Sequence, residues 1–408
     1  MIYKLAIENF LAITKKVEIS TEISKERFNT SLYSVYKGKR RLLKTIFLFG
    51  DNESGKTSIL LALDAIKRIA TIKLTPDDTP FTMLPNDFDE NDEKHNTTFE
   101  IQFYIKDILY SYSLYISNRR IISEKLSYFP NSYEALIYSR KYDKIGLRHV
   151  VQFGASLSQM GSKGLSAINY VIDDTTSVLT AYNQVSISNA ILDEVWTYFS
   201  KTIRSYSRNP TLFYNETTRY TIIFNYFCQL AGLPRFTTDV PPETPEWVEI
   251  LSQSAEGKLL SKGLNTLMDI LAEFLIIIKN NKVATFDDFA DNLDTKKVYL
   301  LLDFFLRFSE ESQIFIASHA SGLMDYPQLR RDTVRFIIKS NNHSHVVVDS
   351  TKAKSVHKTI SLANAYNRGL INNMPPLSPE EIDNIWKLIR EIINADIKDQ
   401  DYDTQPIE

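Results

Sequence analysis

IFLFGDNESGKTSIL, residues 46–60, decides how this chain is read. Four apolar residues run straight into Gly50. Asp51, Asn52, Glu53 and Ser54 follow, then Gly55, Lys56, Thr57 and Ser58, and the apolar run resumes at Ile59. A strand that stops at a glycine, and a helix that starts after a second one, frame the phosphate-binding spacing G-x-x-x-x-G-K-[ST]. Gly50, Gly55, Lys56 and Thr57 satisfy that spacing. The residue types follow from the chemistry. Backbone N–H groups have to point at phosphate oxygens, and glycine lets the backbone turn and come close. A helix beginning near Lys56 adds the positive end of its dipole. Lys56 would reach the β- and γ-phosphates, and Thr57 would place its hydroxyl on Mg²⁺. Gly50, Asn52, Ser54, Gly55, Lys56, Thr57 and Ser58 are the expected phosphate-binding residues. A chance match in a strand–turn–helix connection is the bland alternative, and the apolar strand before and amphipathic helix after disfavour it.

Bulk properties narrow the classes. The 408 residues suffice for two or three domains and a substantial core. A net charge of −3 excludes a molecule that is basic throughout, though not a local basic patch. Cys228 is the single cysteine, so no internal disulfide framework exists. The opening MIYKLAIENF lacks the pattern of a secretory signal, and the aliphatic cluster at 275–278 is too short to span a bilayer. These features lead us to expect a cytoplasmic protein with no membrane role.

Around the phosphate loop the pattern is α/β. Tyr3, Leu5 and Ile7 alternate with polar neighbours, as do Val17 and Ile19. Residues 37–41 read as a charged turn, 45–49 as a strand and 56–69 as an amphipathic helix. Residues 75–97 read as a surface loop. FEIQFYI, ILYSYSLYI and RIISEKLSYF predict an antiparallel meander over 98–140. From 153 to 235 the pattern is mostly helical, bounded by Pro234 and the run VPPETPE at 240–246. Helix is predicted again over 255–280 and 295–308, with strands at 283–286 and 314–317. The tail from about 355 reads as helical, broken at Pro375-Pro376, with a frayed acidic end. The expected division is 1–150, an inserted 151–248, a second core lobe 249–350 and a tail 351–408.

A phosphate loop needs a carboxylate on a nearby strand to hold Mg²⁺. Asp303 ends the run LLLD, but within a stretch of helical spacing. Asp287 and Asp288 end the run VATF as a pair, one for metal and one for water. Around them the chain resembles the ABC-type heads of SMC proteins, recombination-repair ATPases and bacterial OLD-like AAA ATPases. Ser261-Lys262-Gly263 matches their Ser-x-Gly signature. Asn292-Leu293-Asp294 matches the loop after the acidic pair, and the strand ending Ser318-His319 matches their switch histidine. LAIENFLAI is similar to their first strand and FEIQFYI to their post-loop strand, with Gln102 as a γ-phosphate-sensing glutamine. The tail AYNRGLINNMPP also looks like the end of an OLD-like ATPase.

That resemblance implies a P-loop head: a parallel core sheet plus an antiparallel meander, with a helical insertion and a helical tail. It implies ATP and Mg²⁺ as ligands, with Thr57 and Asp287 on the metal and Asp288 and His319 in catalysis. Ser261 and Gly263 would cap the nucleotide of a second copy, making a homodimer and leaving room for higher assembly. Where the family usually has glutamate, this chain has Asp288, one methylene shorter. A misplacement of ~1 Å can cost ~10²-fold in rate, so slow hydrolysis or a compensating backbone shift is expected. Three functions stay open at this level. One is an ATPase subunit of an antiviral or DNA-surveillance system, controlling a separately encoded effector such as a nuclease or toxin. The second is a repair or recombination ATPase acting directly on DNA, with Lys37–Arg41, Lys44, Arg119-Arg120 and Arg330-Arg331 as candidate contacts. The third is a nucleotide-gated scaffold with little turnover. His343 and His345 read as exposed strand residues rather than metal ligands.

Overall fold

A computed structural model of the chain describes residues 1–84, 96–206, 221–232, 262–289, 293–339, 345–351, 360–371, 380 and 383–390. Ser261, Asn292, His343, Pro234, the run 240–246, Pro375-Pro376 and the acidic end lie outside the described residues. The chain divides into two compact units, Met1–Ala353 and Lys354–Glu408.

The first unit opens with β1 (Ile2–Glu8), β2 (Val17–Ser20), a one-turn α1 (Thr30–Tyr33), the hairpin β3 (Ser34–Lys37) and β4 (Arg40–Leu43), β5 (Thr45–Phe49) and α2 (Lys56–Thr71). A meander follows: β6 (Asn96–Ile105), β7 (Ile108–Ser117), β8 (Arg120–Phe129), β9 (Ala135–Asp143) and β10 (Arg148–Phe153). Next come α3 (Gly161–Val171), α4 (Val178–Gln184), α5 (Ala190–Thr197) and β11 (Ile203–Ser205). The remainder is α6 (Thr221–Leu230), α7 (Lys262–Lys279), β12 (Val283–Phe286), α8 (Thr295–Phe308), β13 (Gln313–Ala317), β14 (Val334–Lys339) and β15 (His345–Asp349). In the second unit, α9 (Leu362–Asn367) is capped by Ser361, whose hydroxyl accepts from the Asn364 N–H.

Two large sheets result. One is six-stranded, in the order β11-β12-β13-β5-β14-β15, parallel except for its last strand. Its inner strands, such as TIFLF and QIFIA, are buried throughout, as strands covered on both faces must be. The other is seven-stranded and antiparallel, in the order β10-β9-β8-β7-β6-β1-β2. Its strands alternate instead: in β6, Phe99, Ile101 and Phe103 face the core, while Glu100 and Gln102 face outward. Phe103 stacks on Tyr198, and Tyr112 packs on Phe199, so the segment after α5 covers the inner face of this sheet. The helix α2 buries Ile59, Leu63, Ile66 and Ile69, the stripe its spacing predicted.

Two expectations change. The meander runs on to Phe153, beyond residue 140. Within the stretch read as helical, Ile203–Ser205 forms β11 and pairs in parallel with Val283–Thr285, adding an edge strand to the parallel sheet. Three residues carry no usable periodicity, so only the pairing reveals the strand.

The strand order positions the site. β13 lies between β5 and β12, so the residues after all three strands emerge at one edge, the carboxyl ends where open α/β sheets hold ligands.

Candidate active site

The phosphate loop leaves β5 under tight steric limits. A Cβ on Gly50 would lie 2.4 Å from Ser54 Oγ and 2.5 Å from the Ile337 carbonyl oxygen, so only glycine fits. Gly55, at the start of α2, has φ +97°, which glycine adopts at no steric cost. The Lys56 side chain curls back over the loop. Its ammonium donates to the Gly50 and Asp51 carbonyl oxygens, both at 2.8 Å. Burial pushes its pKa down, while Asp287, Asp288 and Asp51 oppose the shift. A partly desolvated cation held only by carbonyls is well prepared to transfer to phosphate oxygens. Ser54 is buried, and its hydroxyl has no hydrogen-bond partner among the described residues.

The acidic pair stands across from it. Asp287 and Asp288 follow the buried β12 and are both exposed. The Asp288 N–H donates to Asp287 Oδ1 at 3.2 Å. Asp288 has φ +47°, a left-handed conformation that aspartate tolerates better than most residues. His319 Nε2 lies 3.5 Å from Asp288 Oδ1. Backbone contacts fix this juxtaposition. The Phe289 N–H donates to the Ala317 carbonyl, and the Ser318 N–H to that of Leu48, so the ends of β12, β13 and β5 are tied together. Ser318 Oγ also accepts from the Ala320 N–H and holds the turn that presents His319.

A cavity of about 470 Å³ joins these parts. Asn52, Ser54, Gly55, Lys56, Thr57, Ser58, Asp288 and His319 line it, together with Ala12, Glu53 and Lys339. Of the last three, Glu53 is a variable position of the loop motif and Ala12 falls within LAIENFLAI, while Lys339 carried no motif in the sequence. Ala12 comes from the loop after β1, where its N–H donates to Ser58 Oγ at 3.3 Å. Ser58 therefore also braces that loop against α2. Among the described residues no group of three or more His, Cys, Asp or Glu is placed to hold a metal. Thr57 offers a hydroxyl in the cavity, whereas the Asp287 carboxylate, beside Asp288, is not among the lining residues.

Other candidates fall elsewhere. Gln102 projects from the outer face of β6 into a separate cleft with Lys4, Ser111 and Lys125, so it does not line the phosphate-loop cavity. Asp303 lies within α8 and accepts from the Tyr326 hydroxyl, which removes it as the strand-end carboxylate. Gly263 is the second residue of α7, half-buried, while its partner Ser261 is outside the described residues. His345 lies on β15.

Residues 46–163 match a family described as "AAA domain, putative AbiEii toxin, Type IV TA system". Among solved structures, the SMC head domain from Thermotoga maritima is similar at 14% identity and a TM-score of 0.43, covering 85% of this chain and 98% of that one. An SmcHead bound to the C-winged helix domain of ScpA gives 14% identity and 0.42, covering 89% and 99%. An Smc head domain with an extended coiled coil, bound to the C-terminal domain of ScpA derived from Pyrococcus furiosus, gives 12% and 0.36, covering 90% and 98%. A search of curated proteins gave no match. A phosphate loop on a parallel sheet, with an acidic strand end beside it, accompanies the match, and over residues 46–163 the chain is similar to an AAA domain.

Proposed function

We propose that the protein binds ATP with Mg²⁺ in the phosphate-loop cavity and hydrolyses it slowly. One observation carries the reading: Lys56 and the Asp288–His319 pair line the same cavity, though they follow three different strands. The loop amides and Lys56 would hold the β- and γ-phosphates, and Thr57 and Asp287 would hold the metal, which neutralises phosphate charge when bound. Asp288 would orient and accept a proton from the attacking water, and His319 would steady that carboxylate and donate toward the γ-phosphate. Asp288 is short for this task, which supports a low rate.

The fuller role we propose is that of an ATPase subunit whose ATP-bound heads pair, with Ser261 and Gly263 of one copy capping the nucleotide of the other. The division into lobes 1–150 and 249–350, with 151–248 inserted and 351–408 as a tail, belongs to this proposal. So does kinship with OLD-like ATPases of antiphage defence and control of a separately encoded nuclease or toxin. The toxin–antitoxin wording of the matched family supports that direction. Direct action on DNA has less support, because the basic candidates are largely engaged. Lys37 pairs with Glu311 at 2.6 Å, Arg40 with Glu22 at 2.9 Å, Arg119 with Asp77 at 3.2 Å, Arg120 with Asp174 at 2.7 Å and Arg330 with Asp332 at 2.6 Å. Lys44 donates to the Leu306 and Ser309 carbonyls.

The test is phosphate release from ATP by the purified protein, with and without DNA, beside Lys56→Ala. Slow turnover that Lys56→Ala abolishes supports the ATPase reading. Tight ATP binding without turnover would replace it with a nucleotide-gated scaffold. Turnover stimulated by DNA, with steep salt dependence, would favour the repair reading.

A further inference from the structure

We propose that Lys339 is a second cation of the nucleotide site, its ammonium pairing with the phosphates at the end of the nucleotide away from Asp288 and His319. The inference rests on the ATP reading above and deepens it.

The strand β14 flanks β5 on the side opposite β13, with Val334 beside Phe47 and Phe336 beside Phe49. It continues past the point where β5 gives way to the phosphate loop. Its backbone touches that loop: the Ile337 carbonyl oxygen is one of the two atoms that forbid a side chain on Gly50. Two residues on, Lys339 lines the cavity with Lys56 and Thr57. Among the described residues no ion pair or hydrogen bond holds its ammonium. Lys56, by contrast, is already engaged by two carbonyl oxygens. Lys339 is exposed at the cavity rim, where a lysine acts as a mobile point charge.

The sheet order sets which end it meets. Asp288 and His319 stand on the β12–β13 side of β5, and the phosphate to be cleaved must face them. Lys339 stands on the β14 side, so it meets the part of the nucleotide that ATP and ADP share. An interaction made equally before and during reaction strengthens binding without raising the maximal rate. Lys339 is thus an affinity residue and not a catalytic one.

The experiment titrates fluorescently labelled ADP and ATP into the wild type, Lys339→Ala, Lys339→Arg and Lys56→Ala, and measures turnover at saturating ATP. A charge-assisted contact of ordinary strength, ~1.5 kcal/mol, corresponds to about tenfold in affinity. Lys339→Ala is expected to weaken ADP and ATP about tenfold alike, with maximal turnover within about twofold of wild type. Lys339→Arg should recover most of the affinity. Unchanged binding by Lys339→Ala, while Lys56→Ala loses it, overturns the proposal and leaves the ATP reading intact. A loss confined to ATP also overturns it, by placing Lys339 at the cleaved end. A wild type that binds neither nucleotide removes the ATP reading itself.

Discussion

At the scale of single residues, the site rests on steric and electrostatic demands that the sequence states almost directly. Gly50 has no room for a methyl group, since Ser54 Oγ and the Ile337 carbonyl both lie within 2.5 Å of where it would be. Gly50→Ala is expected to displace the loop and abolish nucleotide binding while the fold survives, as read by nucleotide titration beside far-UV circular dichroism. Asp288 carries a different demand. Removal of a general base typically costs ~10²–10⁴-fold, so Asp288→Asn should lower turnover by at least ~10²-fold and keep ATP affinity near wild type. Equal turnover in single-turnover assays would remove Asp288 from the chemistry. The loop residues and the acidic pair were legible because each sits in a contiguous motif. Lys339 was not, because it reaches the cavity from a strand remote in sequence and carries no local signature. The left-handed backbone at Asp288, next to the Phe289 N–H that bonds the Ala317 carbonyl, was equally invisible.

At the scale of elements, the meander sheet is fastened to α4 by a buried charge network. Glu124 on β8 lies directly across from Arg140 on β9, and both side chains are fully buried. Glu124 accepts from the Tyr112 and Tyr138 hydroxyls at 3.0 and 2.7 Å and from the Val178 N–H that begins α4. Arg140 donates to the carbonyls of Asp173 and Thr176 on the strap before that helix. Thr175 and Thr180 then bond the Leu74 and Ile69 carbonyls, in and just after α2. Glu124→Gln leaves Arg140 buried without its counter-charge, a change that typically costs ~3–5 kcal/mol, measurable by urea unfolding. His149 gives the network a pH dependence. Burial lowers its pKa, and Arg140 lowers it further. Asp174 at 3.0 Å opposes both, Arg120 adds to the lowering, and the Tyr142 ring packs alongside. The folded state therefore binds fewer protons there than the unfolded chain. Its contribution to stability is present above the ordinary value of about 6.5 and is lost as pH falls through the lower folded value. Melting temperature should drop more steeply below pH 6.5 in the wild type than in His149→Gln; parallel curves would exclude His149 as the source. None of this was legible, because Glu124 and Arg140 look like ordinary outward positions until strand pairing turns them inward.

At the scale of the whole molecule, the open issue is pairing. If ATP joins two heads through Gly263 and its neighbours, light scattering should show monomer without nucleotide and dimer with ATP. Asp288→Asn, which binds but does not cleave, should accumulate the dimer, and a persistent ATP-bound monomer would remove the pairing. The helix α7 is suited to carry such a contact rigidly. Its Glu273, almost fully buried, forms a two-point ion pair with Arg204 on β11, which ties the helix to the edge of the six-stranded sheet. Among the described residues no helix is long and apolar enough to cross a membrane.

The sequence by itself determined the phosphate loop, the helix after it, the alternating strands of the meander and the acidic strand end. Each depends on side-chain spacing within a few residues, and backbone geometry enforces those periods locally. Tertiary structure alone decided that Gln102 points away from the cavity, that Asp303 lies in a helix, that Ile203–Ser205 completes the six-stranded sheet and that Lys339 faces the loop. Those outcomes follow from which strands lie side by side. That order is fixed by how the whole core packs, and no local window of sequence carries it.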